Sequence, residues 1–293
     1  MNEYLTTKEL AELLRIKERK VYDLAASGEV PVSRAMGKLL FPRAEVLAWL
    51  KHNSSGLVGA TAVVAERKPV FLGSHDPLLD WALRESRAGL ATYFDGSLDG
   101  LERFAASEGI ATGLHVLDGA TTSWNVPLVA ERFQGEQVVL VEWAKRERGL
   151  IVQPRHAKRV SGLDDIPGLT LVPRQREAGS QQILDHLLTK AGIDRARMSI
   201  VPAVRSESDA ALAVLEGRAD VAFGLEALAS QLRLAFVPVI QERFDLLVDR
   251  RHWFEPPMQA LVQFCQRDRF RTRASELKGY DTSGLGTVWF NGA

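Results

Sequence analysis

The 293-residue chain holds one cysteine, so no disulfide framework is open to it. Cys265 lies in the apolar run ALVQFCQ, which fits a small buried hydrophobe better than a nucleophile or metal ligand. Net charge is missing as well: 37 Lys plus Arg balance 37 Asp plus Glu, and the pI is near 7.0. This excludes a global field drawing the molecule onto nucleic acid, so any DNA contact must come from a local patch. No apolar stretch approaches the ~20 residues that span a bilayer. No basic leader followed by an apolar run opens the chain, so no membrane partner and a cytoplasmic location are expected. His75, His115, His156, His186 and His252 show no His-x-x-x-His spacing, and there is no Gly-Lys-Ser/Thr phosphate loop. No nucleophile stands with a base and an orienting acid, so neither metal, cofactor nor turnover is expected. What remains is a chain that is 46% hydrophobic, long enough for two or three domains with real cores.

The first fifty residues form one periodic block. Thr6 and Thr7 can cap a helix whose Leu10, Leu13 and Leu14 make an apolar face. A short turn, Arg15-Ile16-Lys17, precedes a second helix over Glu18–Ser27 with Val21, Leu24 and Ala25 inward and Gly28 ending it in a left-handed conformation. Lys17, Arg19, Lys20 and Tyr22 sit near its start, the end of a recognition helix that enters the major groove and flanks phosphates. VPVSRAMGKLLF alternates through Gly37, which predicts a two-stranded ribbon with Arg34 and Lys38 beside its turn. Pro42 is expected at the first position of a third helix, with Arg43 following and Val46, Leu47, Trp49 and Leu50 closing the core.

Through LTTKELAELL, KERKVYDLAASGEVP, RAMGKLLFPRAE and the terminal AWL, residues 3 to 52 resemble the excisionase-like branch of the MerR winged-helix family. The resemblance implies a winged helix-turn-helix that binds double-stranded DNA; a helical protein-interaction module, or a degenerate fold that no longer touches DNA, is the other reading. Nine Lys plus Arg against seven Asp plus Glu in residues 1 to 52 leave a surplus of only two, so a homodimer or higher homo-oligomer is the natural expectation.

Residues 53–69 are rich in small and polar types and read as a linker, although VGATAVVA could form a short helix. From Val70 strands alternate with amphipathic helices, which predicts an α/β domain over 70–293 with largely parallel sheets. VFLGS leads into a helix with Leu78, Leu79, Ala82 and Leu83 on one face; ATYFDGS leads into LDGLERFAASEG; GLHVLDG leads through TTSWN into VPLVAERF. QVVLVEWAKRERGLIVQP reads as a hairpin or an extended connection out of a first lobe. A second lobe over about 155–235 follows, and FVPVIQERFDLLVDR supplies two strand-like runs returning to the first. Met258–Phe264 and Phe270–Leu277 are expected as closing helices.

Two α/β lobes joined by crossing segments make a cleft faced by the loops at strand C-termini. In LGSHDPLLDWAL, FDGSLDGLERFA, GLHVLDGATTSWNVPLV, PRQREAGSQQILDHLL, EGRADVAFGLEALA and FVPVIQERFDLLV, residues 70 to 287 resemble the substrate-binding-protein-like domain related to periplasmic molybdate-binding proteins. The resemblance implies a type II periplasmic-binding-protein fold and a molybdate or tungstate ligand.

In the residues themselves, Ser74, His75, Asp76, Ser97, Asp118, Thr121, Thr122 and Asn125 cluster at first-lobe strand ends, and Arg174, Arg176, Gly179 and Ser180 in the matching second-lobe loop. Hydroxyls and free N–H groups at helix starts can hold an oxyanion. Capping and turn roles are the plain alternative for Asp76, Asp95 and Ser97, pairing with a surface acid for Arg174, and packing for Trp81, Trp124 and Trp143, with Trp124 also placed to line the cleft. Relatives read Arg-Gln-x-Gly-Ser-Gly-Thr-Arg where this chain has RQREAGSQ, and Tyr-Asp where it has Phe244-Asp245. A carboxylate at Glu177 and the loss of a guanidinium turn the expectation toward a small organic acid, with an amine or hydroxyl that Glu177, Asp76 or Asp118 could accept. The function expected is a ligand-responsive transcriptional regulator. The alternative is an excisionase-like architectural or recombination accessory factor without effector control.

Overall fold

The computed structural model describes residues 4–28, 30–35, 38–52, 66–119 and 121–292. The chain divides into two compact units, Met1–Val64 and Ala65–Ala293. The turn at Gly37 and the VGATAVVA segment lie outside the described residues.

In the first unit, β1 (Tyr4–Leu5) precedes α1 (Thr7–Leu14) and α2 (Glu18–Ser27), followed by β2 (Ser33–Ala35), β3 (Lys38–Pro42) and α3 (Arg43–His52). A capping box starts α1: the Thr6 hydroxyl accepts from Glu9 N at 3.3 Å, and Glu9 Oε2 accepts from Thr6 N at 2.7 Å. Gly28 ends α2 at φ 73°, where only glycine is unstrained. β2 and β3 pair antiparallel as the wing, and the unexpected β1 adds a third strand on the other side of β3. That pairing corrects one expectation. Pro42 completes β3 opposite Tyr4, and the helix begins at Arg43. Leu10, Ala11, Val21, Ala25, Phe41 and Val46 form the core, whereas Leu13 and Leu47 are exposed. In so short a module only a narrow stripe of each helix finds a partner.

The second unit begins β4 (Val70–Gly73), α4 (Pro77–Glu85), β5 (Ala91–Phe94), α5 (Ser97–Ala105), β6 (Ala111–Leu114) and α6 (Val126–Arg132). β7 (Val138–Val152) leads out to β8 (Thr170–Val172), α7 (Gly179–Lys190), β9 (Ser199–Ile200), α8 (Glu207–Leu215), β10 (Val221–Leu225) and α9 (Glu226–Gln231). β11 (Ala235–Asp249) returns, and α10 (Arg250–Trp253), α11 (Pro256–Cys265), α12 (Asp268–Glu276), β12 (Tyr280–Asp281) and β13 (Val288–Asn291) close the first lobe. The sheet order is β5-β4-β6-β11-β7-β10-β8-β9, with β12 and β13 also paired to β7.

β5, β4 and β6 are mutually parallel, and so are β10, β8 and β9; between these two sets run the antiparallel strands β7 and β11. The sheet is therefore mixed rather than largely parallel. β7 is one unbroken strand and not a hairpin. β11 is likewise single, accommodating its two runs through register shifts at Pro238/Ile240 and Phe244/Asp245. Each lobe buries apolar groups on both sheet faces: neighbours on β4, Phe71 and Leu72, enter opposite cores, as do Leu150 and Ile151 on β7.

Candidate functional site

The site is built where strand ends of both lobes meet. Gly73 ends β4 at φ 97°, and a Cβ there would stand 2.3 Å from the Gly113 carbonyl oxygen, so glycine is required for β4 and β6 to lie this close. This delivers Ser74, whose N–H donates to Gly113 O at 2.8 Å and whose hydroxyl shares a 2.8 Å hydrogen bond with the hydroxyl of Ser97 at the start of α5. His115 N also donates to Ser97 Oγ.

From the second lobe, the main chain of Arg174 bridges to Val204, and Arg174 N donates to Gln181 Oε1 at 2.9 Å. Those contacts hold the 174–181 loop over the start of α7. The lobes touch there: Gln175 Nε2 donates to Asp95 O at 2.9 Å, and a Cβ on Gly179 would meet the His115 ring at 2.9 Å.

Between these elements lies a cavity of about 120 Å³, with Ser74, His75 and Asp95 on one side and Arg174, Ser180 and Glu207 on the other. Neither α5 nor α7 has a side-chain cap, so each directs helix N-terminal N–H groups and the positive end of its dipole here. Ser180 is 2% exposed and its hydroxyl has no hydrogen-bond partner among the described residues; His75 Nδ1 is likewise buried without one. A built concavity with unsatisfied polar groups is what a small polar ligand requires.

Beneath the cavity floor a charged network crosses the connecting strands. Arg146 bonds Asp76 at 2.8 Å; Glu242 accepts from Arg146 and from Arg148 Nε and Nη2, the last two at 2.8 Å; Arg148 also reaches Glu207 Oε1 at 3.0 Å. Arg174 Nη1 lies 3.4 Å from Glu207 Oε1, and its Nη2 donates to Arg205 O. Burial alone would raise Glu242 and Glu207, but the guanidiniums, Arg146 and Arg148 on the first and Arg148 and Arg174 on the second, hold both below the usual carboxylate range. His115 is pushed down by burial against the opposing pull of Glu242, 2.9 Å from its Nδ1. Phe244 stacks against His115 and lies under the Arg146 guanidinium.

Of the residues expected to bind ligand, Ser74, His75, Arg174, Gly179 and Ser180 line the cavity, and Ser97 is bonded directly behind Ser74. The others are placed elsewhere. Asp76 is fully buried, capping α4 through Leu79 N and accepting from Trp143, Arg146 and Tyr280, so its oxygens are occupied. Asp118 and Thr121 bond each other in a surface turn with Thr122. Asn125 and Asp245 bond each other at 2.7 Å, pinning the start of α6 to β11 beside Arg243. Burial pushes Asp245 up to about 6 against Arg243 and Asn125. Arg176 and Glu177 are exposed and outside the cavity lining, and Trp124 packs beside the second-lobe core. Sequence reasoning missed Asp95, His115, Arg205 and Glu207 as lining residues. The Ser206-x-x-Asp209 capping box is the local signal that could have marked the helix start carrying Glu207.

In the first unit Lys17, Arg19, Lys20, Tyr22 and Lys38 are exposed and Arg43 is half-buried; Arg34 lies on β2 opposite Leu39. Lys17 is the N-cap residue of α2, so the cations crowd one helix start.

The PBP superfamily domain matches residues 81–266. The chain belongs to the PBP superfamily. A helix-turn-helix domain matches residues 4–54. A DNA-binding type of domain is thus fused to a solute-binding type in one chain. Over 300 residues the chain is 26% identical to the uncharacterized protein YvgK of Bacillus subtilis (strain 168), covering 97% of this chain and 96% of that one. Among solved structures, the tungstate ABC transporter from Geobacter sulfurreducens superposes with TM-score 0.51 at 11% identity, over 71% of this chain and 97% of that chain. The effector binding domain of QuiR in complex with shikimate gives TM-score 0.46 at 14% identity, over 70% and 95%. Among the described residues no helix is long and apolar enough to cross a membrane.

Proposed function

We propose that this protein is a transcriptional regulator in which residues 1–52 bind double-stranded DNA as part of a homodimer and residues 70–293 sense a small anionic ligand. The observation that carries the reading is the cavity itself. Two uncapped helix N-termini, the partnerless Ser180 hydroxyl and Arg174 converge on it from both lobes, beside the two strands that join the lobes. A ligand bridging α5 and α7 stabilises one lobe arrangement over others, and that differential affinity is the free energy available to change DNA binding. A tungstate- or molybdate-like oxyanion and a small organic acid are the candidate ligand classes. Lys17, Arg19 and Lys20 at the start of α2 supply the phosphate and base-edge contacts, doubled in the dimer. DNA as the target places the protein in the cytoplasm.

The test is a mobility-shift titration of the promoter next to the protein's own gene, with and without molybdate, tungstate and small carboxylates. The expected result is a shifted midpoint with at least one ligand, lost in Ser180→Ala. Unchanged DNA affinity across the panel, with cooperative extended footprints, would replace this reading with the architectural one.

A further inference from the structure

The wall of the cleft cavity is not uniformly cationic. Asp95 and Glu207 line it together with Arg174 and Arg205, so the lining side chains carry both signs in equal number. Glu207 is held ionised by Arg148 and Arg174, and both its oxygens accept from Arg148, so its charge is already matched. Asp95 differs, because its carboxylate makes no side-chain hydrogen bond or ion pair among the described residues and only its main-chain oxygen is used, by Gln175. His75 adds a second acceptor. Its ring lines the cavity, and Nδ1 is buried with no partner among the described residues, which leaves it open to a ligand donor. Donors gather at the other pole: the start of α7, the Ser180 hydroxyl and the Arg174 guanidinium.

We infer that the cleft takes a small zwitterion, an α-amino acid, whose carboxylate sits at the α7 N-terminus with Ser180 and Arg174 and whose ammonium is held by Asp95 and His75. The inference rests on the reading of the cleft as the ligand site and names its substrate class. Size does not decide it: about 120 Å³ is room for about four waters at ~30 Å³ each, which admits a tetrahedral oxyanion as readily as glycine, alanine or serine. Charge and hydrogen bonding decide it. A molybdate dianion offers no donor to Asp95 or His75 and sets its charge against the unpaired Asp95 carboxylate, whereas an ammonium brings a positive charge and donors to both acceptors. A 2-hydroxy acid brings one donor and no cation.

The experiment is calorimetric titration of the full chain with glycine, L-alanine and L-serine, with glycolate and L-lactate as the matching hydroxy acids, and with sodium molybdate, for wild type and Asp95→Asn. The amino acids are expected to bind about tenfold or more tightly than their hydroxy-acid counterparts and molybdate, as hydrogen bonds to a charged partner require. Asp95→Asn should erase that preference by weakening the amino acids and not the hydroxy acids. Because Asp95 holds no other side chain, the variant should fold, which its unchanged melting temperature would show. Lactate or molybdate binding as tightly as the amino acids, or Asp95→Asn keeping full amino-acid affinity, overturns the zwitterion and leaves the cleft as an anion site. Absence of binding by every compound overturns the zwitterion and the cleft reading together.

Discussion

Glu242→Gln tests whether the two connecting strands are held by charge. Glu242 is fully buried and accepts from Arg146 and twice from Arg148, with His115 Nδ1 2.9 Å away. Glutamine keeps the shape and one acceptor oxygen but turns an amide NH₂ toward guanidinium hydrogens and removes the charge. Removing one partner of a buried ion pair costs about 3–5 kcal/mol, because the remaining charge stays desolvated. Arg146 keeps Asp76 and Arg148 keeps Glu207, which points to the lower end, about 3 kcal/mol. For a unit of this size each kcal/mol moves Tm by about 2–4 °C, so a fall of about 6–12 °C is expected. Circular dichroism melts of the full chain at neutral pH measure it. Glu102→Gln, which breaks an ion pair with Arg132 on the surface, serves as the control and should leave the melt unchanged. A fall in the Glu242 variant no larger than the control's would refute the argument.

Asp245, pushed up from 3.8 to about 6 in the folded chain, gives a pH prediction. Between those values the folded state binds more protons than the unfolded state, so this group's contribution to stability falls as pH rises through the window. Urea titrations from acid to neutral pH should show a downward slope component that Asp245→Asn lacks. Thr6→Ala removes the capping box of α1 and should cost about 1 kcal/mol, read as faster amide exchange throughout α1; unchanged exchange would mean the cap contributes nothing. Replacing Lys17, Arg19 and Lys20 by alanine should weaken DNA binding on all sequences and reduce the slope of log K against log salt by about 3 per protomer. An unchanged slope would move the DNA contact off α2.

Local chemistry was legible wherever it depends on neighbours in the chain. The boundaries of α2, its glycine stop, the Thr6 cap and the apolar face Leu78, Leu79, Ala82 and Leu83 of α4 follow from spacing, because helix contacts recur every three or four residues. β7 and β11 were harder. Charges at Arg146, Arg148 and Glu242 interrupt apolar runs and resemble turns, yet each finds a partner far along the chain and the strand continues through it. Exposure of Leu13 and Leu47 had the same origin, since which side of a helix is covered depends on elements elsewhere.

What the sequence alone determined is the order of parts: a capped, cation-bearing helix pair with a ribbon, then strand–helix units whose strands end in small polar residues. Those features are written in periods of two and three to four residues and in the residue types that cap helices. Only the tertiary structure decided which polar residues share a cavity. Asp76, Asn125 and Asp245 are polar loop and strand-end residues as Asp95 and Ser180 are, but packing supplied the first three with partners and left the last two at the cavity. A polar side chain becomes part of a binding site when folding leaves its hydrogen-bonding capacity unmet, and that depends on residues distant in the chain.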